Sequence, residues 1–211
     1  KYLNICVILI DGSIGQMMEP VLLPEMQPAV RKEYDWAVSG AKDRKRHILS
    51  SIYLDVPTEE RVNLRILGRW RQAQENEIRF KEYFLEDAEY VVIGFGTAGR
   101  IALSAVRAAR AQGIKVGLFR PISVNPFPYK RVEQVCQQAK SLLVVEMNTG
   151  QMLKDVQTVV RNRIPIRFYG RLGGVMPFPD EFVDEIQEMI HHPGKPDDDP
   201  ADLWYLRMMA R

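Results

Sequence analysis

The sequence is poor in residues that staple a fold or ligate a metal. Its 211 residues include two cysteines, Cys6 and Cys136, and three histidines, His47, His191 and His192. The cysteines lie far apart and form no Cys-x-x-Cys, so no zinc or iron–sulfur ligand set is spelled out. Two buried thiols in a reducing cytoplasm are the expectation. The histidines fall in or beside polar stretches and lack metal-ligand spacing. An excess of one charge is also missing, since 29 basic and 27 acidic residues leave a net charge of +2. That balance gives no electrostatic reason to expect nucleic acid or an anionic membrane as a partner. No apolar run approaches the roughly 18 residues of a membrane span. The run Ile5 to Ile10 is too short for a signal-peptide core and stops at Asp11-Gly12. A cytoplasmic globular protein is therefore expected. The chain opens Lys1-Tyr2-Leu3-Asn4 without an initiator methionine, which reads as a piece of a longer chain.

What is present is strand and helix in alternation. Ile5-Cys6-Val7-Ile8-Leu9-Ile10 is rich in β-branched residues and predicts a strand buried on both faces of a parallel sheet. Ile14 to Leu23 predicts a short helix, ended by Pro20 or Pro24. Residues 24–57 read as irregular, and the basic run Lys42 to His47 within them reads as a solvated loop. Thr58-Glu59-Glu60 looks like a helix start, and a long connecting helix over 58–86 is expected. From Tyr90 onward the rhythm is regular. Strands are predicted at 90–94, 115–119, 141–146 and 166–169, with helices at 97–112, 128–140, 150–162 and 179–191. The fold class is therefore α/β, a parallel sheet with helices on both faces joined by right-handed crossovers. Val124-Asn125-Pro126-Phe127-Pro128 and Val175-Met176-Pro177-Phe178-Pro179 each precede a helix. In each, the second proline sets the helix entry and the phenylalanine is expected to staple it to the sheet. The tail from Pro193 carries Asp197-Asp198-Asp199-Pro200 and an apolar helical turn at Leu203 to Leu206, either frayed or docked on a partner.

Two turns carry candidate chemistry. Gly94-Phe95-Gly96-Thr97-Ala98-Gly99 follows a strand and opens a helix, the context of a dinucleotide fingerprint. The next strand, however, ends in Arg120-Pro121 where an acid should hold a ribose. The helix is also alanine-rich (Ala98, Ala102, Ala105, Ala109), so close helix–sheet packing already asks for these glycines. Packing is the preferred reading. An NADP-binding oxidoreductase domain using Gly94, Gly96, Gly99 and Arg120 is the alternative. The second turn, Glu146-Met147-Asn148-Thr149-Gly150-Gln151, sits at the carboxyl end of a central strand, where α/β sheets meet ligands and partners. It is either a helix cap with a solvated turn or a polar contact surface. Ser13, in Asp11-Gly12-Ser13-Ile14-Gly15, lacks the first glycine of a nucleophile elbow.

These segments also carry a resemblance. Ile8 to Pro20 resembles the end of the pyrimidine-binding domain of 2-oxoacid:ferredoxin oxidoreductase α subunits, and Trp36-Ala37-Val38-Ser39-Gly40 resembles the segment next to it in those subunits. Asp87 through Gly99, Gly113 through Pro121, and Pro126-Phe127-Pro128 are similar to that family's second domain, built like a transketolase C-terminal domain. Among subfamilies the 2-oxoisovalerate enzymes look nearest, then the 2-oxoglutarate enzymes. The resemblance implies four parts: a pyrimidine-domain remnant with linker (1–57), a connecting helix (58–86), a transketolase C-terminal-like domain (87–192) and a tail (193–211). It implies oxidative decarboxylation of a 2-oxoacid onto coenzyme A, with thiamine diphosphate and iron–sulfur clusters in the full complex and neither bound here. The diphosphate site is expected on a β subunit, with γ and ferredoxin-like subunits and ferredoxin as further partners. No catalytic, cofactor or metal residue is carried over. Glu146, Asn148 and Gln151, and after them Gly15, Gln16 and Glu19, are the expected interface residues, and the isolated chain is expected to be inactive.

Overall fold

The computed structural model describes residues 1–28 and 34–210. Residues 29–33, part of the stretch read as irregular, and Arg211 at the end of the tail lie outside them. In chain order the elements are α1 (Gly12–Gln16), α2 (Val56–Asn76), β1 (Phe80–Tyr83), β2 (Tyr90–Gly94), α3 (Gly96–Ala111), β3 (Val116–Pro121), α4 (Tyr129–Gln138), β4 (Ser141–Glu146), α5 (Gln151–Val160), β5 (Ile166–Gly170), α6 (Pro179–His191) and α7 (Pro200–Met209).

One five-stranded sheet organises the C-terminal part, in the order β1-β3-β2-β4-β5. The four strands from β2 to β5 run parallel, as the sequence pattern predicts. Their interior residues are apolar on both faces because helices cover both. Helices α3 and α6 pack against one another on one face, and α4 packs against α5 on the other. Right-handed crossovers require this division, since the chain steps from β2 outward to β3 and then back across to β4. The alanine face of α3 (Ala98, Ala102, Ala105, Ala109) lets it lie close to the sheet. Helix α4 is shorter than the residue pattern predicts at both ends, with Pro128 as its cap.

Four expectations are corrected. The connecting helix begins at Asp55, whose carboxylate accepts the Thr58 amide, and it ends at Asn76. The residues after it form β1, an antiparallel edge strand whose Phe80 stacks on buried Phe119. Glu75 with Arg79 and Glu77 with Lys81 are spaced four apart as on a helix, which masks β1 in the sequence. Second, Ile5–Ile10 is not a buried strand: Ile5, Val7, Ile8, Leu9 and Ile10 are 66–87% exposed and belong to no strand. All five strands of this sheet come from residues 80–170, so the segment has no neighbour to complete its pairing. Cys6 is exposed with it, while Cys136 is buried. The helix predicted to come next is a short turn only, α1. Third, Phe127 is buried as a staple, but Phe178 is 72% exposed. The cap of α6 comes instead from the Glu181 carboxylate, which accepts the Phe178 amide. Fourth, the tail docks on its own sheet. Trp204 of α7 packs edge-on against Phe168, and the Arg207 guanidinium donates to the Phe168 carbonyl, covering the β5 edge.

Candidate functional site

The two turns singled out in the sequence lie side by side in space. Strands β2 and β4 are neighbours, with Gly94 opposite Val145. The helices leaving them go to opposite faces, which makes this the topological switch point of the sheet, where α/β folds form a crevice.

On the β2 side the glycines are used for packing. A Cβ on Gly94 would meet Val145 Cγ2 at 2.6 Å, and one on Gly99 would strike the Gly94 carbonyl. Gly96 differs: its φ of +54° requires glycine, and the space beside it is open. The stem of Arg120 also leans on Gly99, with Cγ 3.3 Å from where a Cβ would be. Two of the three glycines and Arg120 thus close strand onto helix, and the packing reading holds.

The N-terminus of α3 has no side-chain cap of its own at Phe95. In its first turn Thr97 Oγ1 donates to the remote Asp11 Oδ2, and Asp11 Oδ1 accepts the Ile14 amide at 2.8 Å, which caps α1 rather than α3. The Thr97 hydroxyl, helped by the Ile14 amide, holds the Asp11 carboxyl below its ordinary range. One turn along α3, Arg100 pairs with Glu19 at 2.8 Å. Glu19 therefore lies at an interface within the chain, while Gly15 and Gln16 are exposed beside it. The sequence reading missed Asp11, Thr97 and Arg100. A contact between residues 86 positions apart leaves no local signal, although Asp before Gly12 is a visible helix cap.

On the β4 side Glu146 is only 1% exposed. Its Oε2 accepts the Met152 amide at 2.9 Å and its Oε1 the Leu153 amide at 2.8 Å. Burial pushes its carboxyl above the ordinary range, and those two amides oppose the shift. Asn148 Oδ1 accepts from the Gly150 and Gln151 amides at 2.8 and 3.0 Å, and Gly150 takes the left-handed conformation that the turn needs. Glu146 and Asn148 together therefore cap α5. Of the three interface residues expected here, Glu146 turns inward, Asn148 is half-buried and Gln151 is exposed.

A diphosphate needs free amides at a helix N-terminus. The α5 amides are spent on Glu146 and Asn148. The N-terminus of α5 does not fit such a group. Nor do the cysteines make a cluster ligand set: the Cys136 thiol is pushed up to about 11 by burial, and Cys6 lies on the exposed N-terminal segment. Among the described residues no three His, Cys, Asp or Glu side chains gather as a metal site, and no helix is long and apolar enough to cross a membrane.

Residues 88–182 match the family described as pyruvate:ferredoxin oxidoreductase core domain II. The chain is 37% identical over 189 residues to the ketoisovalerate oxidoreductase subunit VorB of Methanothermobacter marburgensis, covering 90% of this chain and 53% of that protein. It is 31% identical over 162 residues to the 2-oxoglutarate synthase subunit KorA of Methanocaldococcus jannaschii, covering 76% of this chain and 42% of that one. The chain thus spans about half the length of the curated relatives it matches. Among solved structures, a 2-oxoglutarate:ferredoxin oxidoreductase from Magnetococcus marinus shares the fold, with a TM-score of 0.56 and 20% identity over 65% of this chain and 24% of that one. Through core domain II, at residues 88–182, the chain belongs to the 2-oxoacid:ferredoxin oxidoreductase family.

Proposed function

We propose that this chain is the C-terminal portion of the α-type subunit of a thiamine-diphosphate-dependent 2-oxoacid:ferredoxin oxidoreductase. The complete enzyme decarboxylates a 2-oxoacid oxidatively and forms its coenzyme A thioester in the cytoplasm, with 2-oxoisovalerate the first substrate to test and 2-oxoglutarate the second. The observation that carries this reading is the 37% identity to a ketoisovalerate oxidoreductase subunit along 90% of the chain. This portion serves assembly and shapes the cofactor cleft. Two features support that role: the sheet-edge amides are already satisfied, and the N-terminal segment leaves an apolar run uncovered. Thiamine diphosphate, when bound elsewhere in the complex, supplies the carbanion-stabilising chemistry, and iron–sulfur clusters carry the electrons. A β subunit holds the diphosphate, γ and ferredoxin-like subunits complete the assembly, and ferredoxin accepts the electrons. Gln151 and Asn148, with Gly15 and Gln16, face those subunits; buried Glu146 holds the surface in shape from inside, and Glu19 ties the N-terminal segment to α3 through its exposed pair with Arg100.

The test is reconstitution. Co-expression of the full-length native polypeptide with its companion subunits should give a complex that reduces a viologen dye with 2-oxoisovalerate and coenzyme A, at a higher kcat/KM than with 2-oxoglutarate. A reversed preference would shift the substrate assignment while leaving the family role intact.

A further inference from the structure

Helix α2 has 21 residues and a single buried one, Ala73. Arg61, Arg65 and Arg69 are four residues apart on it, so they form one stripe along its length. Arg61 donates to Thr58 Oγ1, while Arg65 and Arg69 pair with no carboxylate among the described residues. Like charges at this spacing repel, so the stripe is unfavourable unless something negative covers it.

The complement lies on α6. Asp180, Asp184 and Glu188 are also four residues apart, all exposed, on the side opposite the buried Phe182, Ile186 and Met189. Asp180 and Asp184 have no cationic partner among the described residues, while Glu188 touches His192 and Arg167 loosely, at 3.4 and 3.7 Å. The two stripes match in number, in spacing (about 6 Å per step along each axis) and in opposite sign. No ion pair joins them within one chain among the described residues.

We infer that these stripes are the two halves of a contact between copies of this chain, α2 of one copy lying on α6 of the other. A two-fold axis would make the contact twice, α2 on α6 and α6 on α2, which multiplies a weak pairing. Arg65 and Asp184 are the middle members of their stripes, so they meet whether the helices align parallel or antiparallel. Because the pairing is electrostatic and exposed, it is strong only at low ionic strength. The screening length falls from about 30 Å at 0.01 M salt to about 3 Å at 1 M.

Sedimentation velocity on the full polypeptide tests this. The expected result is concentration-dependent dimer at low salt, dissociating as salt rises. Arg65→Glu should weaken the association at least about tenfold, since it sets like charges face to face. Arg65→Glu combined with Asp184→Arg should restore it, because the sign is reversed on both sides. Far-UV circular dichroism checks that each variant stays folded. A monomer at every concentration, or a dimer indifferent to Arg65→Glu, or a double variant that does not recover, would each overturn the inference.

Discussion

Residues 80–210 and residues 1–76 have similar chemistry and opposite fates. Both contain runs of isoleucine, valine and leucine. In the C-terminal part those side chains are covered, as Ile93, Leu142, Leu143 and Ile186 are. In the N-terminal part Ile5, Ile8, Leu9, Leu54 and Leu64 face outward. The difference lies in pairing. Each of β2, β3 and β4 has a strand on both sides, and helices close both faces. The Ile5–Ile10 run has the composition of such a strand but no ladder to join. Apolar composition supplies the driving force, and topology decides whether there is anywhere to bury it.

The sharpest way to break this contrast is one substitution made in both regions. Ile186→Ala, in a fully buried position, should cost about 3–4 kcal/mol in urea unfolding. Gly99→Val should come next at about 3 kcal/mol, because the added side chain collides with the Gly94 carbonyl rather than with a side chain that can move. If Gly99 instead served a dinucleotide, the variant would keep its stability and lose NADPH binding in calorimetric titration. Glu146→Ala should cost about 2–3 kcal/mol by leaving the Met152 and Leu153 amides without an acceptor. Glu146 also carries a pH signature. Burial raises its carboxyl above the ordinary 4.5, so the folded state keeps that proton to higher pH than the unfolded chain does. Its contribution is fully present below about 4.5 and declines as pH rises through the folded value. The stability gap between wild type and Glu146→Gln should narrow or invert in that direction; a gap that widens with pH would contradict the assignment. Thr97→Val, which removes the donor to Asp11, should cost only about 0.5 kcal/mol because the Asp11 end of the pair is exposed to water. Ile8→Ala should be within about 0.5 kcal/mol of wild type.

The parts of the fold that were legible in the sequence are those whose signal is local. Strands β2 and β4 and helices α3 and α6 declare themselves through periodicity, glycine and proline, and their bounds fall within a residue or two of expectation. Strand β1 was hidden because Phe80–Tyr83 is a strand only by virtue of Val116–Pro121, more than thirty residues later. The Ile5–Ile10 misreading has the converse cause: intrinsic preference was strong, and the neighbour it presumed is absent from this sheet. At the candidate site, the 146–151 turn was found from its place at a strand's carboxyl end. Its inward-turned carboxylate was not, because Glu146 reaches across the turn to amides six and seven residues on. The Asp11–Thr97 and Glu19–Arg100 contacts join remote segments and leave no local pattern at all.

The central proposal is that this chain, through core domain II at residues 88–182, works within an oxidoreductase complex and does not turn over 2-oxoacids by itself. Viologen-dye reduction with thiamine diphosphate, coenzyme A and 2-oxoisovalerate measures it directly. The account predicts turnover by the complex reconstituted from the full-length native polypeptide and its companion subunits, and none by the 211-residue chain alone. Turnover by the isolated chain, or an assembled complex inactive with every 2-oxoacid tried, would contradict it.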